Sequence, residues 1–209
     1  MKNVRLFIET KTTDRAGNEV YPNERRFMQH LITLVGSHVS DQVTITGTGG
    51  FTNLKKYANE LQRNTDNGGI NLVIFDADFP ETNGGFAARQ DELLKLKTEL
   101  GVEFELFLFP DNKEDGTFEH LLEQLATTQH QGILECFERF TQCIKRRNNP
   151  NYISPDQKAK IYTYVSTQKM TQKQESEFKN GNWYFENSDM WNFDADALNP
   201  LKSFLKAFL

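Results

Sequence analysis

Two aspartates separated by one alanine, Asp76-Ala77-Asp78, close the apolar run Leu72-Val73-Ile74-Phe75. Three of those four apolar residues are β-branched or aromatic, the composition of a strand buried on both faces of a parallel sheet. Residues i and i+2 of a strand share a side, so the two carboxylates are expected to project together, roughly 6–7 Å apart. Like charges at the end of a buried strand are costly unless something positive lies between them. An oxygen-preferring divalent cation, Mg2+ (or Mn2+), is the natural occupant. The plainer arrangement has one aspartate capping the next helix and the other facing water.

Other residues join the pair through topology. Val4 to Ile8 reads as a first strand with Glu9 at its end, and Val43 to Thr46 as a second running into Gly47-Thr48-Gly49-Gly50. In an open parallel sheet, ligands gather outside the carboxyl ends of the strands, so Glu9, Asp76 and Asp78 are expected on one rim. Backbone amides at Gly49 and Gly50 can approach a phosphate there, or simply make a tight turn into a helix. No GxxxxGK[ST] string is present, which excludes a P-loop, and Ser37 has no nucleophile elbow around it.

The elements that must hold these residues alternate along the chain. After the first strand comes a polar excursion, Thr10 to Asn23, with a Gly17-Asn18 turn, read as a possible hairpin. Asn23 then caps a helix over 24–36 with an apolar stripe of Phe27, Leu31, Leu34 and Val35. Further helices are expected over 52–63 and 86–100, the latter stopped by Gly101, with a fourth strand at Phe104 to Phe109. This order predicts an α/β fold, an open, mainly parallel Rossmann-like sheet flanked by helices. Beyond Pro110 the pattern is helical: 117–127, 133–147 with Ile133, Phe137, Phe140 and Ile144 on one face, a helix to about Ser166 opened by Ser154-Pro155, and a last one opened by Asn199-Pro200. The expectation is one domain over 1–209, a core to about 128 with a helical C-terminal extension whose last helix docks on the body.

Composition narrows the classes. The chain has 209 residues and a net charge of −5, which argues against nonspecific nucleic-acid binding over the whole surface and leaves room for a local basic patch. No apolar stretch approaches the ~20 residues that span a bilayer, so no membrane is expected. Glu9 comes too early for a signal peptide, which points to a cytoplasmic protein. Cys136 and Cys143, on one helical face but roughly 10 Å apart, cannot bridge each other and are expected as buried free thiols. The four histidines show no ligand spacing for zinc.

A strand-end glutamate, a glycine turn after the next strand and a strand-end Asp-x-Asp resemble the Toprim domain of topoisomerases, DnaG-type primases and OLD-family nucleases. Pro110-Asp111-Asn112 followed by Gly116 and Glu119 is similar to small bacterial Toprim-like proteins related to the OLD group, as are the helix containing Lys158 and the closing Pro200 helix. The resemblance covers most of the chain. It implies that Glu9, Asp76 and Asp78 bind Mg2+ and that Glu9 also serves as general acid or base. Toprim members usually carry Glu-Gly-x-x-Asp at the first strand end. Here Thr10 replaces the glycine, and either Asp14 or Glu24 stands in for the second acid, or neither does. Glu119 is a further metal ligand or a first-turn acid complementing a helix dipole.

The reaction implied is metal-dependent phosphodiester hydrolysis or another phosphoryl transfer on nucleic acid, since the chain is too short for a strand-passage gate and lacks the template-binding modules of a primase. The rival is an inactive relative acting as a binding or regulatory partner of another protein. Lys145-Arg146-Arg147 and Lys158 are either phosphate contacts or solvated surface, and Trp183, Tyr184 and Trp191 either stack bases or pin a loop. Asp194-Ala195-Asp196 repeats the central tripeptide without a strand before it and is expected to be a capping or loop pair.

Overall fold

The computed structural model describes residues 3–36 and 42–209; Ser37, singled out above, lies outside them. Four short apolar runs form one parallel sheet in the order β2-β1-β3-β4: β1 (Val4–Ile8), β2 (Val43–Gly47), β3 (Ile70–Asp76) and β4 (Glu105–Phe109). Ile8 pairs with Gly47 on one side and Ile74 on the other, and Asp76 pairs with Phe109, so all four strands end near one rim. With eight α-helices among the described residues, the protein has the α/β architecture expected from the alternation of its sequence.

Period-two alternation divides the core. Leu6, Ile8, Leu72, Ile74, Phe107 and Phe109 face one side, where they meet α1 (Asn23–Val35), α4 (Phe118–Leu125) and α6 (Gln157–Ser166). Phe7, Val73, Phe75 and Leu108 face the other, against α2 (Ala58–Asp66) and α3 (Phe86–Leu100). The chain leaves β1 for β2, then crosses back over β1 to β3, so the order reverses between β1 and β3. Such a reversal opens a crevice at the carboxyl ends of the two strands. Glu9 and Asp76 stand on its two sides.

The C-terminal part closes over the first face. α5 (Gln131–Arg146) and α7 (Gln172–Lys179) flank it, and α8 (Asn199–Lys206) buries Leu201 and Leu205, with the Phe204 ring 5.4 Å from that of Phe107. That docking matches the expectation. Several local expectations do not hold. Asn23 is the first residue of α1 and not its cap, Pro22 preceding it without a side-chain cap. The stretch Phe51–Tyr57 is a 3-10 helix, and α2 begins only at Ala58. In α1, Leu34 is exposed and the buried face is Phe27, Met28, Leu31 and Ile32, because a stripe centred between 28 and 31 leaves position 34 a quarter-turn off the core. α6 is capped by Asp156, which accepts from the Ala159 amide at 2.8 Å, and not by Ser154. Cys136 is exposed and Cys143 half-buried, since α5 turns only Leu134 fully inward.

Candidate functional site at the strand ends

Glu9 is held from two directions. Its Oε1 accepts from the Phe51 amide and its Oε2 from the Asp76 amide, each at 3.3 Å, so the side chain lies across the mouth of the crevice between β3 and the glycine turn. The Gly50 amide donates to the Glu9 carbonyl at 2.9 Å, which fixes the backbone as well. Gly49 and Gly50 have φ of 71° and 120°, the left-handed region glycine reaches most cheaply. Gly47 is needed for a different reason: a Cβ there would lie 2.0 Å from the Thr10 carbonyl oxygen. The glycine turn thus packs against the segment carrying Glu9, with the Thr48 amide on Ile8 and the Gly50 amide on Glu9.

Glu24 completes the inner part. It sits in the first turn of α1, buried, and accepts from the amides of Glu9 (3.3 Å) and Thr10 (3.0 Å) and from the Thr10 hydroxyl. Asp14 is exposed and spends its carboxylate on its own turn, accepting from Ala16 and Asn18. Of the two acids considered as second partner, Glu24 is therefore the one beside Glu9. Thr10, where the Toprim pattern has glycine, supplies the hydroxyl that binds it.

On the other side of the crevice, Asp76 Oδ1 accepts from the Phe118 amide at 2.7 Å, at the N-terminus of α4. Glu119, in the same turn, accepts from the Thr117 hydroxyl at 3.1 Å. These acids feel one another. Burial first, then the charges of Glu24, Glu9 and Glu119, hold the Asp76 carboxyl well above its usual range. Burial raises Glu9, with the charge of Asp78 adding to it, and burial pushes Glu24 up to about 7.

Asp78 departs from the expected geometry. β3 ends at Asp76, and Asp78 takes φ 59°, so the i, i+2 relation of a strand does not extend to it. Its backbone exchanges two hydrogen bonds with Gly116 (2.8 and 2.9 Å), and its carboxylate pairs with Arg89 of α3 at 2.8 Å. A Cβ on Gly84 would lie 2.4 Å from that of Asp78, so the glycine makes room for this turn. The left-handed turn aims Asp78 at α3, while Asp76 faces α4.

The donors are all carboxylate oxygens, which suits Mg2+ or Mn2+. The charge of Glu9 raises the proton affinity of Glu24, and both raise that of Asp76, the electrostatic condition that a cation relieves. Among the described residues, no three or more His, Cys, Asp or Glu side chains are grouped so that they could hold a metal ion as they stand. The fit is one of donor chemistry and place.

A family model described as "Protein of unknown function (DUF3226)" matches residues 22–209. The chain belongs to the DUF3226 family. No curated protein and no solved structure matches it. The matched region contains Glu24, Asp76, Asp78, Arg89 and Glu119, and Glu9 precedes it.

The remaining candidates of this DUF3226 chain lie elsewhere. Lys158 is exposed in the first turn of α6; the buried lysine of that helix is Lys160, bound between Glu123 and Glu138. Trp183 and Trp191 are buried, the Trp191 indole donating to the Trp183 carbonyl at 2.8 Å, so they pin the loop after α7 to the core. Asp194 is exposed and Asp196 accepts from Asn199 at 3.1 Å, a loop pair as its context suggested. Two residues escaped the reading of the sequence. Arg89 is one more charge on an expected helix, and His120, packed 5.1 Å from Phe79 by ring centroids, was not singled out. Three residues separate the Gly84-Gly85 loop from Arg89, a short reach from the strand end, and that spacing was the available signal.

Proposed function

We propose that this DUF3226 chain is a Toprim-like, divalent-cation-dependent enzyme of phosphodiester hydrolysis or a related phosphoryl transfer on nucleic acid, working in the cytoplasm. The observation that carries the reading is the seating of Glu9, Glu24 and Asp76 at the crevice where the strand order reverses. Glu9 and Asp76 are the residues that would hold Mg2+ or Mn2+, with Glu119 beside Asp76 and Asp78 in reserve. When bound, the ion supplies Lewis-acid stabilisation of a phosphoryl oxygen and a more acidic bound water. Glu24 fixes the Glu9 backbone through its amide, and the Phe51 and Asp76 amides orient the Glu9 carboxylate. Burial brings the Glu9 carboxyl closer to neutrality, which favours it as the group that takes up or returns a proton. The Lys145-Arg146-Arg147 end of α5, exposed on an otherwise acidic protein, is the available electrostatic contact for a nucleic-acid backbone.

A second reading has its own observation. Asp78 is engaged by Arg89, and that favours a relative that binds a partner and does not cleave. The two separate in one experiment. Purified protein is incubated with single- and double-stranded DNA and RNA, with Mn2+ or Mg2+ and with chelator, beside Asp76→Asn and Asp196→Asn. The enzyme reading expects metal-dependent cleavage that Asp76→Asn abolishes and Asp196→Asn retains. Metal-stabilised melting without cleavage of any substrate favours the binding reading, and cleavage unaltered by Asp76→Asn rejects this site.

A further inference from the structure

Arg89 is a buried cation built into the rim. Its side chain is 2 % exposed, lies with its guanidinium carbon 3.4 Å from the centroid of the Phe51 ring, and forks between Asp78 (2.8 Å) and Glu92 (2.9 Å). Its Nε is buried without a hydrogen-bond partner. A buried arginine with an unsatisfied N–H is costly to keep, and stacking on an aromatic face recovers only part of that cost. Its retention at the rim calls for an explanation.

The surroundings supply one. Phe51, which carries the guanidinium on its ring, is also the residue whose amide binds Glu9. Asp78, which the guanidinium binds, has a left-handed backbone that turns it toward α3 and away from Asp76. Arg89 thus reaches both sides of the crevice, Asp78 directly and Glu9 through Phe51. Its positive charge also draws down the proton affinity of Glu9, against the burial that raises it.

We infer that Arg89 is a positioning residue that acts as an internal counter-cation: it draws Asp78 out of the carboxylate cluster, and a divalent ion must win Asp78 from it. The inference rests on the cation-binding reading above and adds to it. Divalent affinity is then set by a competition inside the protein as well as by the ligand set, because a fixed positive charge beside the site opposes a second one and withholds one donor. Removing the guanidinium frees Asp78 and lowers the repulsion. Arg89→Met keeps an unbranched apolar stem on Phe51 and removes the charge; Arg89→Lys keeps the charge and loses the fork, since an ammonium does not grip two carboxylates in that planar way.

The test is a Mn2+ titration of the full chain followed by calorimetry and by melting temperature, with wild type, Arg89→Met and Arg89→Lys compared at one ionic strength. Arg89→Met is expected to bind Mn2+ about tenfold more tightly than wild type, with Arg89→Lys between them. Equal or weaker binding by Arg89→Met overturns the inference and leaves the cation site standing. No response to Mn2+ in any of the three overturns both, whereas a response gained only on removing Arg89 supports the inference. Should Arg89→Met not fold, the wild-type protein still decides: the Arg89 guanidinium NMR signals must shift as Mg2+ is added, and signals unmoved at saturating Mg2+ reject the competition.

Discussion

Glu24 offers the sharpest quantitative check, because it is buried and its carboxyl is pushed up to about 7 from an ordinary 4.5. Each pKa unit between folded and unfolded states is worth about 1.4 kcal/mol, so the full displacement corresponds to about 3 kcal/mol. The sign follows from proton counting. Between 4.5 and about 7 the folded protein keeps a proton that the unfolded chain has released, so this contribution is fully present below pH 4.5 and is lost as pH rises through about 7. Glu24→Gln cannot titrate. It also sets an amide nitrogen against one of the backbone N–H groups that Glu24 accepts, a penalty that is the same at every pH. The quantity to measure is therefore the difference in unfolding free energy between mutant and wild type, by urea denaturation at pH 5 and pH 8 in chelator. That difference should move in the mutant's favour by about 2.5 kcal/mol on going from pH 5 to pH 8, and by somewhat more as Asp76 is relieved of the Glu24 charge. Stability profiles that run parallel from pH 5 to pH 8 would refute the placement of Glu24 among these carboxylates.

Two further expectations concern the rest of the fold. Trp191→Phe removes the donor to the buried Trp183 carbonyl and should cost about 2 kcal/mol in urea unfolding, with no change in Mn2+ response. Ellman's reagent on the native protein should react with Cys136 in a fast phase and with the half-buried Cys143 more slowly; Cys136→Ser should delete the fast phase alone.

Much of this architecture is written in local patterns. The four apolar runs, Gly101 at φ 62° ending α3 and the alternation of strands with helices are consequences of backbone sterics and two periodicities, which short stretches of sequence carry. Glu9 and Asp76 were legible for the same reason, as residues that end strands. Asp78 was legible as a carboxylate but not in its direction, because the left-handed turn depends on the room left by Gly84 and on the pairing with Gly116 across some forty residues of chain. Helix α7 was overlooked although Thr171 and Gln174 form a capping box, its polar face giving little periodic signal. Glu24 was one of two alternatives, and only the fold of the Thr10–Asn23 excursion, with its Thr13 to Glu19 bridge, decides between them.

The paired hydrogen bonds between Asp78 and Gly116 bear on how fast anything enters the crevice. They fasten the segment after β3 to the segment after β4, and the Phe118 amide on Asp76 fastens the same stretch again two residues later. Loops tied in this way do not swing open one at a time; parting them means unzipping the end of the sheet, a sub-global event on the microsecond-to-millisecond scale or slower. Side-chain rotation is orders of magnitude quicker. A cation bound as proposed should therefore exchange at the pace of turning carboxylates and a guanidinium within a stationary backbone, without any gate.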